Sequence, residues 1–182
     1  MSISSRYLTF AQARVYANSS INTSIFSYIN SEYVKHLLKK YASANEVEAK
    51  LFELGESVGP KAFELACVSI GPPSSAPFKR ELKAENLLQW LAGPFFKWLF
   101  GSPADSLDKV SGKSNEYYIR NNTPITMKNI DTYSCSVALP EYQAGILQSV
   151  IAGAGMKSRV EVKSYEAVAG EQASYIFVVT LL

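Results

Sequence analysis

The sequence predicts an α+β fold: an N-terminal helical layer packed on a twisted antiparallel four-stranded sheet, with one further helix between the strand pairs. Three observations carry this. Up to about Gly101, apolar residues recur at three- and four-residue steps, the period of helices. From about Glu116 onward they alternate or run continuously over short stretches, as strands do. One helical pattern, opened by Pro140 and closed by Gly155, interrupts that second half. Helices followed by strands point to α+β rather than an alternating α/β chain.

The first helix is expected from Ile21 to Tyr41. Phe26, Ile29, Tyr33 and Leu37 form one stripe, Ile25 and Tyr41 widen it, and Leu38 falls on the far side. A second helix starts near Asn45, an acceptable cap, with Glu46 and Glu48 suiting the positive end of the helix dipole. Its stripe is Val47, Leu51, Leu54, Val58, Ala62 and Leu65. Gly55 and Gly59 lie beside that stripe and call for a packing reason, such as close approach of another helix. Pro60 cannot donate to Glu56, which predicts a kink or a restart.

Gly71–Pro77 is a break, expected as an exposed loop. A third helix follows to Phe100, apolar almost all round from Leu87 onward, and so expected to be buried on several sides. It is too short to span a membrane, which takes about 20 apolar residues, and Gln89, Pro94 and Lys97 interrupt it. Ala104–Val110 suggests a short turn of helix. Glu116–Arg120 reads as a strand, and Ile125–Met127 as a second one extending toward Tyr133. After the Pro140 helix, with Leu139, Tyr142, Ile146 and Val150 inward, Lys157–Tyr165 alternates strictly as a half-buried strand. Ala169–Gln172 is the turn, and Tyr175–Leu181, apolar on both faces, is an interior strand.

At 182 residues and 47% hydrophobic composition the chain can bury one real core. Residues 1–20 are expected to form a flexible segment ahead of a single domain over 21–182. The net charge is +2, with 18 Lys and Arg scattered among 16 acids. A nucleic-acid partner would call for a concentrated basic face instead. Met1–Ser20 has no apolar core of signal-peptide length, which predicts a cytoplasmic chain. The acceptor patterns at Asn18, Asn22 and Asn121 then read as chance matches.

The parts of an enzyme are missing. His36 is the one histidine. It could serve as a haem ligand or general base, but a boundary residue paired with Glu32 explains it better. Cys67 and Cys135 lack metal spacing, and neighbours Ala66, Val68 and Ile70 offer Cys67 nothing to lower its pKa. Gly153-Ala-Gly155 sits at a helix C-terminus, where the dipole repels anions. Glu46, Glu48, Glu53 and Glu56 read as a solvated helix face. No catalytic residue, metal ligand or cofactor site is expected. The chain instead reads as a module that binds other proteins. Its candidate interface residues are Ile25, Ile29, Tyr33 and Leu37 on the first helix, with Phe95, Phe96 and Trp98 on the third. Each group could alternatively be core. Direct membrane contact through Phe95–Phe100 is a weaker option, since the low net charge gives anionic lipids little to hold.

Four strings resemble the small subunits of the TRAPP (transport protein particle) vesicle-tethering complex, most nearly the subunit-5 type. They are Leu54-Gly-Glu-Ser-Val-Gly59; Phe96-Lys-Trp-Leu-Phe-Gly101 with Ala104-Asp105 and Leu107; Tyr118-Ile119 with Pro124-Ile125; and Ala144-Gly145-Ile146 with Gly155, Val160 and Val162. The resemblance covers about Ile21 to Leu182. It implies a helical layer on a twisted antiparallel sheet, and a non-catalytic scaffold subunit in ER-to-Golgi vesicle transport. Such a subunit bridges a palmitoylated core subunit and a sedlin-type subunit, meets a Rab GTPase only through the assembled exchange factor, and touches cis-Golgi and ER membranes indirectly. A sister subunit's palmitoylated cysteine would fall near Ser75–Phe78, where this chain has none. Distant relatives of the fold bind haem or lipid between helices and sheet, so a small-molecule sensing domain is the alternative.

Overall fold

Helix α1 (Thr23–Lys40) is followed closely by α2 (Ala44–Ser69). This computed structural model describes residues 23–73, 83–127, 137–165 and 174–182. The expected N-terminal segment 1–20, Asn18, Asn22, most of the Gly71–Pro77 loop, the extension toward Tyr133, Cys135 and the turn at Ala169–Gln172 lie outside those residues. α2 is capped not at Asn45 but two residues earlier, at Ser43. Ser43 Oγ accepts the Glu46 N–H at 3.3 Å, and Glu46 Oε2 accepts the Ser43 N–H at 3.2 Å. This reciprocal pair satisfies donors that a helix start leaves without partners.

α2 does not break at Pro60. It runs unbroken to Ser69 against the parallel helix α5 (Glu141–Gly153). The pair crosses on small residues. A Cβ added at Gly55 would overlap the Tyr142 carbonyl oxygen and lie 2.9 Å from Ile146 N. One added at Gly145 would overlap the Phe52 carbonyl oxygen and lie 2.9 Å from Glu56 N. One turn on, Gly59 faces Ser149 and the Ile146 carbonyl. The glycines thus belong to the buried stripe itself, with Val47, Leu51, Ala62 and Ala66, while Leu54, Val58 and Leu65 are half-buried at its side. The same crossing explains Pro60. Its ring leaves the Glu56 carbonyl without a helical donor. Ser149 Oγ, delivered by α5, donates to that carbonyl at 2.8 Å. Gln148 Nε2 donates to the Glu56 carboxylate at 3.0 Å beside it.

The apolar third segment is α3 (Ala84–Trp90), a widened π-type turn over Leu91–Phe95, and α4 (Phe96–Phe100). Pro94 lies within the wide turn, where the spacing of donors and acceptors changes and the missing N–H is accommodated. The segment is the spine of the core. Leu87, Leu88, Leu91, Phe95 and Phe96 are wholly buried.

The sheet follows the order β1-β2-β4-β3, all antiparallel: β1 (Ser106–Lys109), β2 (Glu116–Asn121), β4 (Ser174–Leu181) and β3 (Ser158–Tyr165). Two sequence expectations are corrected. Ala104–Val110 is not a helical turn: Ser106–Lys109 pairs in register with Arg120–Tyr117, and Leu107 packs on the core. Ile125–Met127 is not a strand but a 3-10 turn, closed by the Met127 N–H to the Pro124 carbonyl at 2.9 Å. β2 stops at Asn121 because its Oδ1 accepts the Thr123 N–H, while Asp105 Oδ2 takes the Asn122 N–H, turning the chain out of the sheet.

One sheet face meets the helices. Tyr117, Ile119, Phe177, Val179 and Val160 are buried there, with Leu107, Val162 and Leu181 beside them. Phe177 stacks edge-on against Phe96 at 6.1 Å. On the other face Ile176 lies in register with Arg120 and Lys163, and Val178 with Tyr118 and Glu161. β4 is the interior strand its apolar sequence requires. α5 ends where Gly155 takes φ +84°, leading directly into β3.

Gly55→Ala or Gly145→Ala should lower stability by about 2 kcal/mol through backbone overlap, whereas Gly93→Ala, which meets open space, should be neutral or stabilise by up to about 1 kcal/mol. Urea denaturation reads both, and equal midpoints for Gly55→Ala and Gly93→Ala would refute the close crossing. Ser149→Ala should cost about 1–2 kcal/mol in the parent and clearly less in a Pro60→Ala background, where residue 60 regains its N–H. A double-mutant cycle measures the difference.

Candidate functional site

Two surfaces are candidates for function: the outward face of α1, and a cleft beside β3. The buried face of α1 is fixed by a second, smaller core. Val34 and Leu37 pack with Val47, Leu51, Val137 and Leu139, with Tyr41 and Met127 at the margin. Asn30 Nδ2 donates to the Thr126 carbonyl at 3.0 Å, which sets the rotation of the helix. This turns the expected stripe partly outward. Ile25 is 55% exposed, Ile29 60% and Tyr33 36%, joined by Tyr28 at 69%. Residues at i, i+3, i+4 and i+8 share one helix face, so these four form one continuous apolar strip. Large exposed apolar strips of this kind mark interaction sites.

The proposed interface residues therefore divide. Ile25, Ile29 and Tyr33 lie together on the surface. Leu37 does not join them, because it is 4% exposed in the second core. Phe95 and Phe96 are corrected to core, both 0% exposed. Phe95 packs between Trp90 at 5.2 Å and Trp98 at 6.2 Å, and Phe96 against Phe100 at 5.0 Å. Trp98 is half-buried at the edge of this cluster. Tyr28 was not anticipated. Its one signal in the sequence is the three-residue step from Ile25.

Among the described residues, the other chemistry-bearing candidates hold structural partners or lie exposed or half-buried without a metal or catalytic partner. His36 is exposed on α1, and Glu32 pairs with Lys35 at 2.8 Å rather than with it. Cys67 is half-buried, and that burial pushes its thiol pKa up, away from reactivity. The glutamates of α2 are divided among tasks: Glu46 caps the helix, Glu53 pairs with Lys50, Glu56 holds Gln148, and Glu48 accepts the Ala138 N–H at 2.7 Å. Among the described residues no group of His, Cys, Asp and Glu gathers that could hold a metal ion. No described helix is long and apolar enough to cross a membrane.

The cleft, with a volume of about 700 Å³, lies between α2, α5 and the outer side of β3. Glu48, Phe52, Glu141 and Gln148 line one wall, and Arg159–Lys163 the other. Glu141 is its most perturbed group. Burial, then the nearby charges of Glu48 and Glu161, raise its pKa from 4.5 to about 7.

Comparison with known proteins places these features in a family. The family model of transport protein particle (TRAPP) components matches residues 26–180. Trafficking protein particle complex subunit 5 of Dictyostelium discoideum is 32% identical over 142 residues, covering 77% of this chain and 74% of that protein. The mouse subunit 5 is 26% identical over 151 residues, covering 82% and 78%. A crystal structure of a trafficking protein particle complex subunit 3 from Naegleria fowleri, covalently bound to palmitic acid, superposes with a TM-score of 0.71. It does so at 17% identity, over 90% of this chain and 97% of that one. That likeness speaks for the fold alone.

Glu141 makes stability depend on pH. Its folded-state pKa lies above the unfolded value, so the native chain binds the proton more tightly between about 4.5 and about 7. Its contribution is fully present below that window, falls as pH rises through it, and is flat above. Glu141→Gln should remove this slope and raise stability at pH above 7. Urea midpoints taken across the window, on parent and variant, check it; parallel curves would rule Glu141 out as the source.

Proposed function

Because the chain belongs to the TRAPP component family and is thereby a subunit of a vesicle-trafficking complex, we propose that it is a non-catalytic scaffold subunit that docks a sister subunit through the outward face of α1. The observation that carries this is the strip of Ile25, Tyr28, Ile29 and Tyr33. Tyrosine side chains held on a rigid helix are among the anchors that stable protein interfaces use at their centre. Lys35 and Glu32 beside the strip supply a polar margin. In this reading the chain bridges a palmitoylated core subunit and a sedlin-type subunit. It reaches a Rab GTPase only within the assembled exchange factor, and works in the cytoplasm at ER and cis-Golgi membranes. The relatives named as subunit 5 support the assignment of position in the complex.

Ile29→Lys sits on an exposed helix position, so its effect on folding should stay within about 0.5 kcal/mol. It should nonetheless abolish co-purification of a sister subunit from the chain's own cells. Retention of that subunit by the variant would eliminate the α1 face as the docking site. The purified chain alone should leave nucleotide release from a Rab GTPase at its intrinsic rate, read with a fluorescent nucleotide. Acceleration by the isolated chain would end the non-catalytic reading.

A further inference from the structure

β3 is an edge strand, and among the described residues no strand pairs with its outer side. In an antiparallel pair the backbone groups of alternate residues face away from the partner strand. The Val160 N–H shows which ones do so here, since it donates outward to Gln148 Oε1 at 3.0 Å. The N–H and C=O groups of Val162 and Ser164 follow the same alternation and face out of the sheet, those of Val162 at the cleft. Gln148 occupies the place where the first hydrogen bond of an added strand would form.

The far wall of the cleft is acidic. Glu53 is already paired with Lys50, and on the near wall Arg159 is held by Glu161 at 2.7 Å. Glu141 forms no ion pair among the described residues and faces the charges of Glu48 and Glu161, while Arg159 and Lys163 lie on the opposite wall. Arg159, Glu161 and Lys163 are exposed along β3 and discourage indiscriminate strand pairing. An incoming strand must therefore match the charge of the cleft.

We propose that this cleft receives an extended segment of a partner protein, bearing lysine or arginine, which adds to the outer side of β3 and sets its basic side chain against Glu141 and Glu48. Main-chain hydrogen bonds to Val162 and Ser164 supply affinity, and the carboxylates supply selection. The inference rests on the scaffold reading only in taking the partner to be a sister protein. The surface is separate from the α1 strip.

The test titrates the isotopically labelled full chain with two short synthetic peptides, one alternating threonine with lysine and one alternating threonine with glutamate. The lysine peptide is expected to shift the Val162 and Ser164 amide signals. Its affinity should fall about fivefold in a Glu48→Gln/Glu141→Gln variant, the scale of two half-exposed ion pairs. Equal effects of both peptides, or undiminished binding by the variant, would overturn the proposal. So would a photo-crosslinker at Lys163, in the complex isolated from cells, that captured only this chain's own residues or a second copy. Ile29→Lys should leave the peptide titration unchanged. A failed titration therefore removes the cleft site, and a failed α1 experiment removes the α1 docking face.

Discussion

The crossing of α2 and α5 on Gly55, Gly59, Gly145 and Ser149 is the constraint on which the rest of the structure depends. Backbone meets backbone there, so the two helices form one unit rather than two rods padded by side chains. That unit carries the major core on one side, through Ala62, Ala66, Ile146, Leu147 and Val150. It carries the smaller core on another side, through Val47 and Leu51, with Leu139 just ahead of α5. α1 rests on the second, and the sheet and the apolar α3–α4 segment on the first. Because α5 leads straight into β3, the crossing also sets where the edge strand and the cleft lie.

Much of this was legible in the sequence wherever local chemistry decides. Pro140 and Gly155 bracket α5 because a missing donor and a left-handed turn have the same meaning in any surroundings. The Val160–Val162 alternation gives β3, and the continuous apolar run gives an interior β4. Elements decided by distant partners were not legible. Ser106–Lys109 carries no strand signal of its own and is a strand because Arg120–Tyr117 pairs with it. Pro60 reads as a breaker because Ser149, which takes up the orphaned carbonyl, lies far along the chain.

The candidate site shows the same division. The apolar character of α1 was evident, but its rotation was not. Ile25, Tyr28, Ile29 and Tyr33 face solvent, while Asn30, Val34 and Leu37 face inward and Phe26 is half-buried. Their placement follows from the Thr126 carbonyl and the second core, neither of which leaves a mark in the α1 sequence. Hydrophobic size alone therefore does not pick the side on a helix that has two apolar faces. Phe95 and Phe96 illustrate the converse. Their segment is apolar all round and is absorbed by the core, so aromatic content there said little about partners.

The order in which a ribosome delivers the chain gives the α2–α5 crossing one more consequence. Gly55 and Gly145 are widely separated in sequence, and contacts of such long range close slowly, because the loop entropy must be lost before they form. During synthesis, α2 emerges with its glycine stripe bare and the Glu56 carbonyl unserved, and stays so until α5 follows. A nascent or prematurely truncated chain ending before Gln148 and Ser149 holds a proline-bearing helix without the partner that makes it whole. Such a fragment exposes an apolar stripe and an unpaired carbonyl, the kind of surface on incomplete chains that chaperones exist to cover.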